Sequence, residues 1–171
     1  MSHVRGSAEW MTAHFGRGWP DCQAPLKSVE IFGRNLTVHK DAVRAFRRLD
    51  RIFKENAPAY YKKLCEEFDV GTFNCRPIGG TQTASNHSFG TAIDLDTQEN
   101  AFGKDPFACP IWTQAKKAVL KVENEGPEGM PLFRWGGRYR TPDAMHFEVM
   151  LTPSELSRRL FIDGRKKPQK N

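Results

Sequence analysis

The chain has 171 residues, 39% of them hydrophobic, with 26 basic against 20 acidic side chains and a net charge of +6. That size and apolar content suit one compact domain with a real core. No stretch of about 20 apolar residues occurs, so no membrane-spanning helix is expected, and the N-terminus MSHVRGSAEWMTAHFG lacks the apolar segment of a secretory signal.

Residues 1–27 are rich in Gly, Pro and polar groups and are predicted to wrap the domain as ordered loop. Val29–Phe32 and Asn35–Val38 read as a β-hairpin turning at Gly33-Arg34. From Lys40 to Glu55, Ala42, Val43, Phe46, Leu49, Ile52 and Phe53 recur at helical spacing, and a second helix is predicted over Pro58 to Phe68. An apolar-alternating run covers Gly71 to Arg76, and Thr91 to Asp96 alternates as a strand. A third helix runs from Ile111 to Asn124 on a Trp112, Ala115, Val119 and Val122 stripe, stopped by Gly126-Pro127. Leu132–Trp135 is a short strand leading into Gly136-Gly137, Met145–Leu151 is another strand, and Thr152–Glu155 starts a last helix ending near Gly164. Residues 165–171 are a basic tail predicted to be disordered. The class is α+β, a small, mostly antiparallel sheet flanked by helices, in a single domain over residues 1–164.

The chemistry concentrates in Ser85 to Asp94 (SNHSFGTAID) and Asp143 to Glu148 (DAMHFE). Zinc takes imidazole nitrogens and carboxylate oxygens, with one corner of its tetrahedron left to solvent in catalytic sites. His87, Asp94 and His146 supply three such donors for one ion. Alternation places Asp94 and Asp96 on one face of the first strand, and His146 and Glu148 on one face of the second. If the strands share a sheet, these four form a polar patch whose charge a divalent cation relieves. His87 reaches it from a loop that Gly90 lets approach closely. Asp143, in the turn after Pro142, is expected to act on water as general base and then as acid to the leaving amine. Arg76 is the candidate group for the developing oxyanion or a substrate carboxylate.

The pattern Ser85-x-His87-x-x-Gly90-x-Ala92-x-Asp94, then Trp135-Gly-Gly and Asp143-x-x-His146-Phe-Glu148, resembles the zinc D-alanyl-D-alanine carboxypeptidase family. That family includes the L-alanyl-D-glutamate endopeptidases of phage endolysins and shares its fold with the hedgehog signalling domain. The resemblance implies a hedgehog/DD-peptidase-like fold, His87, Asp94 and His146 as zinc ligands, Asp143 as catalytic base and Arg76 as the residue stabilising the substrate carbonyl or carboxylate. Arg138 and Tyr139 depart from it, standing where close relatives carry an acidic residue and a Trp.

Other features have plainer readings beside the functional one. Ser85 and Asn86 either shape the turn before His87 or bond substrate, and Trp135 is either core or a wall of the binding cleft. Glu148 either braces a zinc-bound imidazole or forms a salt bridge at a strand end. His39 is read as a cap before the long helix, and Asp94-x-Asp96-x-x-x-Asn100 lacks the spacing and Gly of a calcium loop. Cys22, Cys65, Cys75 and Cys109 show no metal-type spacing and, without an export signal, are expected as free thiols.

The resulting expectation is a zinc peptidase that cuts a peptide bond of bacterial peptidoglycan, leaning to an endolysin-like endopeptidase, with a D-alanyl-D-alanine carboxypeptidase next. A zinc-stabilised module that binds wall peptides or a protein without cutting is the alternative of another class. The substrate is the peptidoglycan stem peptide, and the basic face of the long helix (Arg44, Arg47, Arg48, Arg51, Lys54) suits anionic wall polymers. No nucleic-acid motif accompanies that charge. The protein is expected to be a monomer, made in the cytoplasm and acting on the wall after release, as a phage lysis protein does.

Overall fold

The computed structural model of the chain describes residues 3–127 and 130–157. In chain order it runs α1 (Ala8–Phe15), β1 (Leu26–Ile31), β2 (Arg34–His39), α2 (Val43–Asn56), α3 (Pro58–Glu66), β3 (Val70–Gly71), β4 (Ala92–Leu95), α4 (Pro110–Asn124), β5 (Phe133–Trp135), β6 (His146–Val149) and α5 (Pro153–Ser157). The fold is α+β. Strands β1 and β2 form a hairpin, and the other four form an antiparallel sheet in the order β3-β4-β6-β5.

Each element follows from its apolar spacing. Ala45, Phe46, Leu49, Ile52 and Phe53 are the buried stripe of α2, and Ile111, Ala115, Ala118, Val119 and Val122 that of α4. Pro58 opens α3 at a position where the missing N–H costs nothing. The sheet turns its apolar face to these helices: Phe53 meets Phe147 edge-on at 5.9 Å, and Phe46 meets Phe133 at 5.1 Å. Ile93, Leu95, Phe147 and Val149 are fully buried there, which leaves Asp94 and His146 to the opposite side.

Several expectations are corrected. Residues 1–27 are not all loop, because Ser7 caps a helix over Ala8–Phe15 by accepting from Trp10 N at 3.2 Å. Trp10, Met11 and Phe15 bury one side of it, an apolar spacing that the flanking Gly and Pro residues concealed. The hairpin turns at Phe32-Gly33, with φ of 48° and 66°, so that Ile31 faces Arg34. Phe32 accepts this conformation because its ring is buried against Phe53 and Tyr61, and its N–H donates to Asp50 Oδ1 at 2.6 Å. In the alternating run after Val70 only Gly71 is strand.

Cys22 and Cys75 form a disulfide, with Cα atoms 5.9 Å apart, where free thiols were expected; Cys65 and Cys109 are free. That expectation rested on compartment alone, and the fold brings the pair together across 53 positions. Helix α5 starts at Pro153 as expected, while its end near Gly164 and the tail 165–171 lie outside the described residues. Among the described residues no helix is long and apolar enough to cross a membrane.

Candidate metal centre

Antiparallel pairing of β4 with β6 sets Asp94 directly opposite His146, so the two side chains emerge side by side on the face away from the helices. Just before β4, Ser85 starts a short 3-10 turn over Asn86–Phe89, its Oγ accepting from His87 N at 3.4 Å. Gly90 ends that turn at φ 69°, and a Cβ there would lie 2.6 Å from His39 N, so only glycine permits this approach. The turn lays His87 over the strand pair.

The three donor atoms converge. His87 Nε2 is 3.2 Å from Asp94 Oδ2 and 3.2 Å from His146 Nδ1, while His146 Nδ1 is 3.0 Å from Asp94 Oδ1. A tetrahedral ion with bonds of about 2.0–2.2 Å separates its ligands by roughly 3.3–3.6 Å, close to this spacing. The tautomers agree. His87 Nδ1 donates to the Thr72 carbonyl at 2.6 Å, and His146 Nε2 to Glu148 Oε2 at 3.3 Å. With those protons placed, both facing nitrogens present lone pairs to each other and to a carboxylate. Three acceptors without a donor require a cation between them, and this donor set fits zinc. His87, Asp94 and His146 are the group among the described residues that could hold a metal ion.

Electrostatics give the same answer. Burial opposes ionisation of Asp94, but hydrogen bonds and charge from His146 and His87 outweigh it and hold the carboxyl well below its usual range. For His146 burial disfavours the cation, yet Asp94 and Glu148 prevail and raise it to about 10, so without a metal a proton fills the gap. Glu148, itself buried, is held down to about 2 by His146 and Arg134.

Glu148 bonds both His146 and Arg134. It braces His146, and Arg134 donates to its Oε1 through Nε at 2.7 Å. The Asn86 amide donates to its other oxygen. Thr72 and Arg134 are the participants that sequence reasoning missed, and Asn86, read as shaping the turn or bonding substrate, instead holds Glu148. Arg134 carried a signal, being a charge between the core aromatics Phe133 and Trp135 on a strand that pairs it with Glu148. A backbone carbonyl such as that of Thr72 carries none.

Asp143 lies in the turn before β6, its carbonyl accepting from His146 N at 3.1 Å and its N–H donating to Gly136 O at 2.9 Å. Its carboxylate stays outside the donor triad but feels the charges of His146, Asp94, His87 and Arg76. Burial, aided by Asp94, raises its pKa against the pull of His146, His87 and Arg76. Its Oδ1 is buried without a hydrogen-bond partner, a free acceptor beside the site. Arg76 is exposed on the rim, and its Nη1 donates to the Pro77 carbonyl at 3.2 Å.

Three other readings resolve differently. Ser85 shapes the turn, as its cap and its carbonyl bond from Ser88 Oγ at 2.6 Å show. Trp135 is core, fully buried, stacked on Trp112 at 5.2 Å and donating to Ala144 O at 2.8 Å, so it forms no wall of the cleft. Asp96 leaves the polar patch, because the strand ends at Leu95 and φ of 52° turns its carboxylate to Tyr60 Oη at 3.2 Å. Of the departures at Arg138 and Tyr139, the first is ion-paired and the second has its hydroxyl buried without a hydrogen-bond partner. Arg138 pairs with Glu123 at 2.7 Å, and the Tyr139 ring lies 6.2 Å from that of His146.

The α+β sheet thus carries a His-Asp-His group that could hold a metal ion, with the Asp143 carboxylate close enough to feel its charges. Residues 79–149, which include all three donor residues and Asp143, are similar to the family model described as D-alanyl-D-alanine carboxypeptidase. No curated protein and no solved structure matched the chain.

Proposed function

We propose that this protein hydrolyses a peptide bond in the stem or cross-link of bacterial peptidoglycan, as an endolysin-like L-alanyl-D-glutamate endopeptidase. The observation that carries the reading is the His87–Asp94–His146 triad of converging acceptors, with Asp143 beside it holding a buried, unbonded oxygen. Zinc, held by those three residues, would act as a Lewis acid that polarises the carbonyl and acidifies water. Asp143 accepts the proton of the attacking water and returns it to the leaving amine; its raised pKa suits both transfers. Arg76 receives the carbonyl oxygen as it gains charge, or a nearby substrate carboxylate. Glu148, held by Arg134 and Asn86, keeps His146 in the tautomer that offers Nδ1.

The exposure of Arg76 favours an endopeptidase, since an open rim accommodates a chain that continues past the scissile bond. A carboxypeptidase reading is favoured by the description of the matching family model. We assign the activity to a single domain over residues 1–164, acting as a monomer on the wall after release from the cytoplasm. Exposed Arg44, Arg47 and Lys54 on α2 would attract anionic wall polymers. Arg48 is engaged with Glu125, its Nε donating at 2.9 Å.

Digestion of purified peptidoglycan with and without a chelator, with mass spectrometry of the fragments, tests the reading. New amino termini on D-Glu identify the endopeptidase and released D-alanine the carboxypeptidase. Absence of any metal-dependent product leaves a binding module and overturns the assignment.

A further inference from the structure

The disulfide adjoins Arg76 in sequence and ties two segments that each touch the metal-site turn. On one side, the 17–23 segment is clamped to the body. Trp19 N donates to Ser88 Oγ at 2.9 Å, a Cβ on Gly18 would fall 2.5 Å from Ser88 Oγ, and within the segment Cys22 N donates to Gly18 O at 2.7 Å. On the other side lies the rim that carries Arg76. Asn74 N donates to His87 O and Ser85 N to Arg76 O, both at 3.2 Å, near the upper end of hydrogen-bond length. Beyond Arg76 the loop bonds mainly to itself, through Ile78 N to Thr83 O and Thr81 N to Ile78 O, and glycines 79 and 80 have open space around them. The covalent link at Cys75 is therefore the firm anchor one residue from the guanidinium.

We infer that the Cys22–Cys75 bond is a positioning element of the site, holding the Arg76 rim over the metal centre, so that the disulfide form hydrolyses substrate faster than the dithiol form. The inference rests on the assignment of Arg76 to the substrate oxygen. The metal ligands sit on β4, β6 and the turn over Asn86–Phe89, the first two paired to each other within the sheet, so zinc binding is expected to be retained in either thiol state. Reduction breaks the S–S bond with two electrons and two protons from a cellular dithiol, which closes to its own disulfide; exchange with an oxidised dithiol reverses the step. A chain held by dithiols would thus be slow, and would gain rate on entering an oxidising compartment.

The test compares the oxidised protein, the protein reduced with a trialkylphosphine (which takes oxygen from water and leaves as its oxide) and the C22S/C75S variant, all zinc-loaded, on purified peptidoglycan. Turnover is expected to fall on the order of tenfold to a hundredfold in both thiol-state changes, with zinc affinity unchanged. In an Arg76→Ala background, removing the disulfide is expected to cost nothing further. Amide exchange is expected to quicken at residues 74, 76 and 85 but not in β4 or β6, whose protection also reports that the variant has folded. Equal turnover in all forms, or an additive loss in the Arg76→Ala background, overturns the inference. If no form cuts peptidoglycan, it is the peptidase assignment that fails; exchange at the three amides then decides whether the bond anchors the rim, and unchanged exchange overturns that too.

Discussion

His87 Nε2 and His146 Nδ1 face each other across 3.2 Å, on rings whose other nitrogens already serve the Thr72 carbonyl and the Glu148 carboxylate. Two lone pairs cannot hold that approach unaided, so the gap belongs to a cation, either a proton or a metal ion.

Proton and metal therefore compete. With the pKa of His146 raised from 6.5 to about 10, the metal-free protein carries that proton at neutral pH. Binding zinc at pH 7 is expected to release about one proton from this site. Calorimetry in two buffers of different ionisation heat measures it, and zero release contradicts the arrangement. Stability follows the same signs. The His146 contribution is complete below pH 6.5 and is lost as pH climbs toward about 10. That of Asp94, whose pKa is lowered, is present above 3.8 and lost as pH falls below it. The melting temperature of chelator-treated protein should decline from pH 6.5 upward, while the gap to the zinc-loaded protein widens.

Asp143 stands beside the donor triad without joining it. Asp143→Ala is expected to keep zinc affinity and lose turnover by roughly two to four orders of magnitude, the usual worth of a positioned acid-base group. Metal content by elemental analysis and initial rates on peptidoglycan decide it. Loss of the metal would make Asp143 a ligand.

Glu148 joins the metal ligands to the rest of the fold, since His146, Arg134 and Asn86 all bond its carboxylate. Replacing it by Gln keeps the shape but removes the charge that fixes the imidazole, and zinc affinity is expected to weaken about ten- to a hundredfold. Competition against a chromogenic chelator measures this. An unchanged affinity would reduce Glu148 to a structural salt bridge with Arg134.

The site was legible in the sequence wherever side-chain chemistry and strand alternation carried it. Asp94 and His146 were readable because period-two spacing puts polar groups on one face, and the register of β4 against β6 set them opposite each other, while His87, on a turn, was legible only through its motif. The same rule misplaced Asp96, because alternation does not say where a strand stops, and this one stops at Leu95. Helices α2 and α4 were plain from their apolar stripes. The short helix at Ala8–Phe15 was hidden by flanking glycines and its few turns, and its stability comes from tertiary packing of Trp10, Met11 and Phe15. The disulfide had no local signal, since its partners meet only when the N-terminal segment folds against the Arg76 rim.

Gly136 offers a test of how the Asp143 turn is held to the sheet. A Cβ at this position would sit 2.4 Å from the Asp143 carbonyl oxygen, 3.1 Å from His146 Cβ and 3.2 Å from Asp143 Cβ. The first contact is with backbone, which cannot rotate away, and the Asp143 N–H also donates to the Gly136 carbonyl at 2.9 Å. Gly136→Ala therefore has to push the Asp143 turn outward. The expected result is a loss of stability of about 1–3 kcal/mol from overpacking, with a turnover loss beyond what unfolding explains, because displacement of a reacting group by about 1 Å can cost a hundredfold. Chemical denaturation and single-turnover rates on the zinc-loaded variant separate the two effects. Full activity at wild-type stability would mean that the turn can shift freely and that Asp143 is not held in place by this contact.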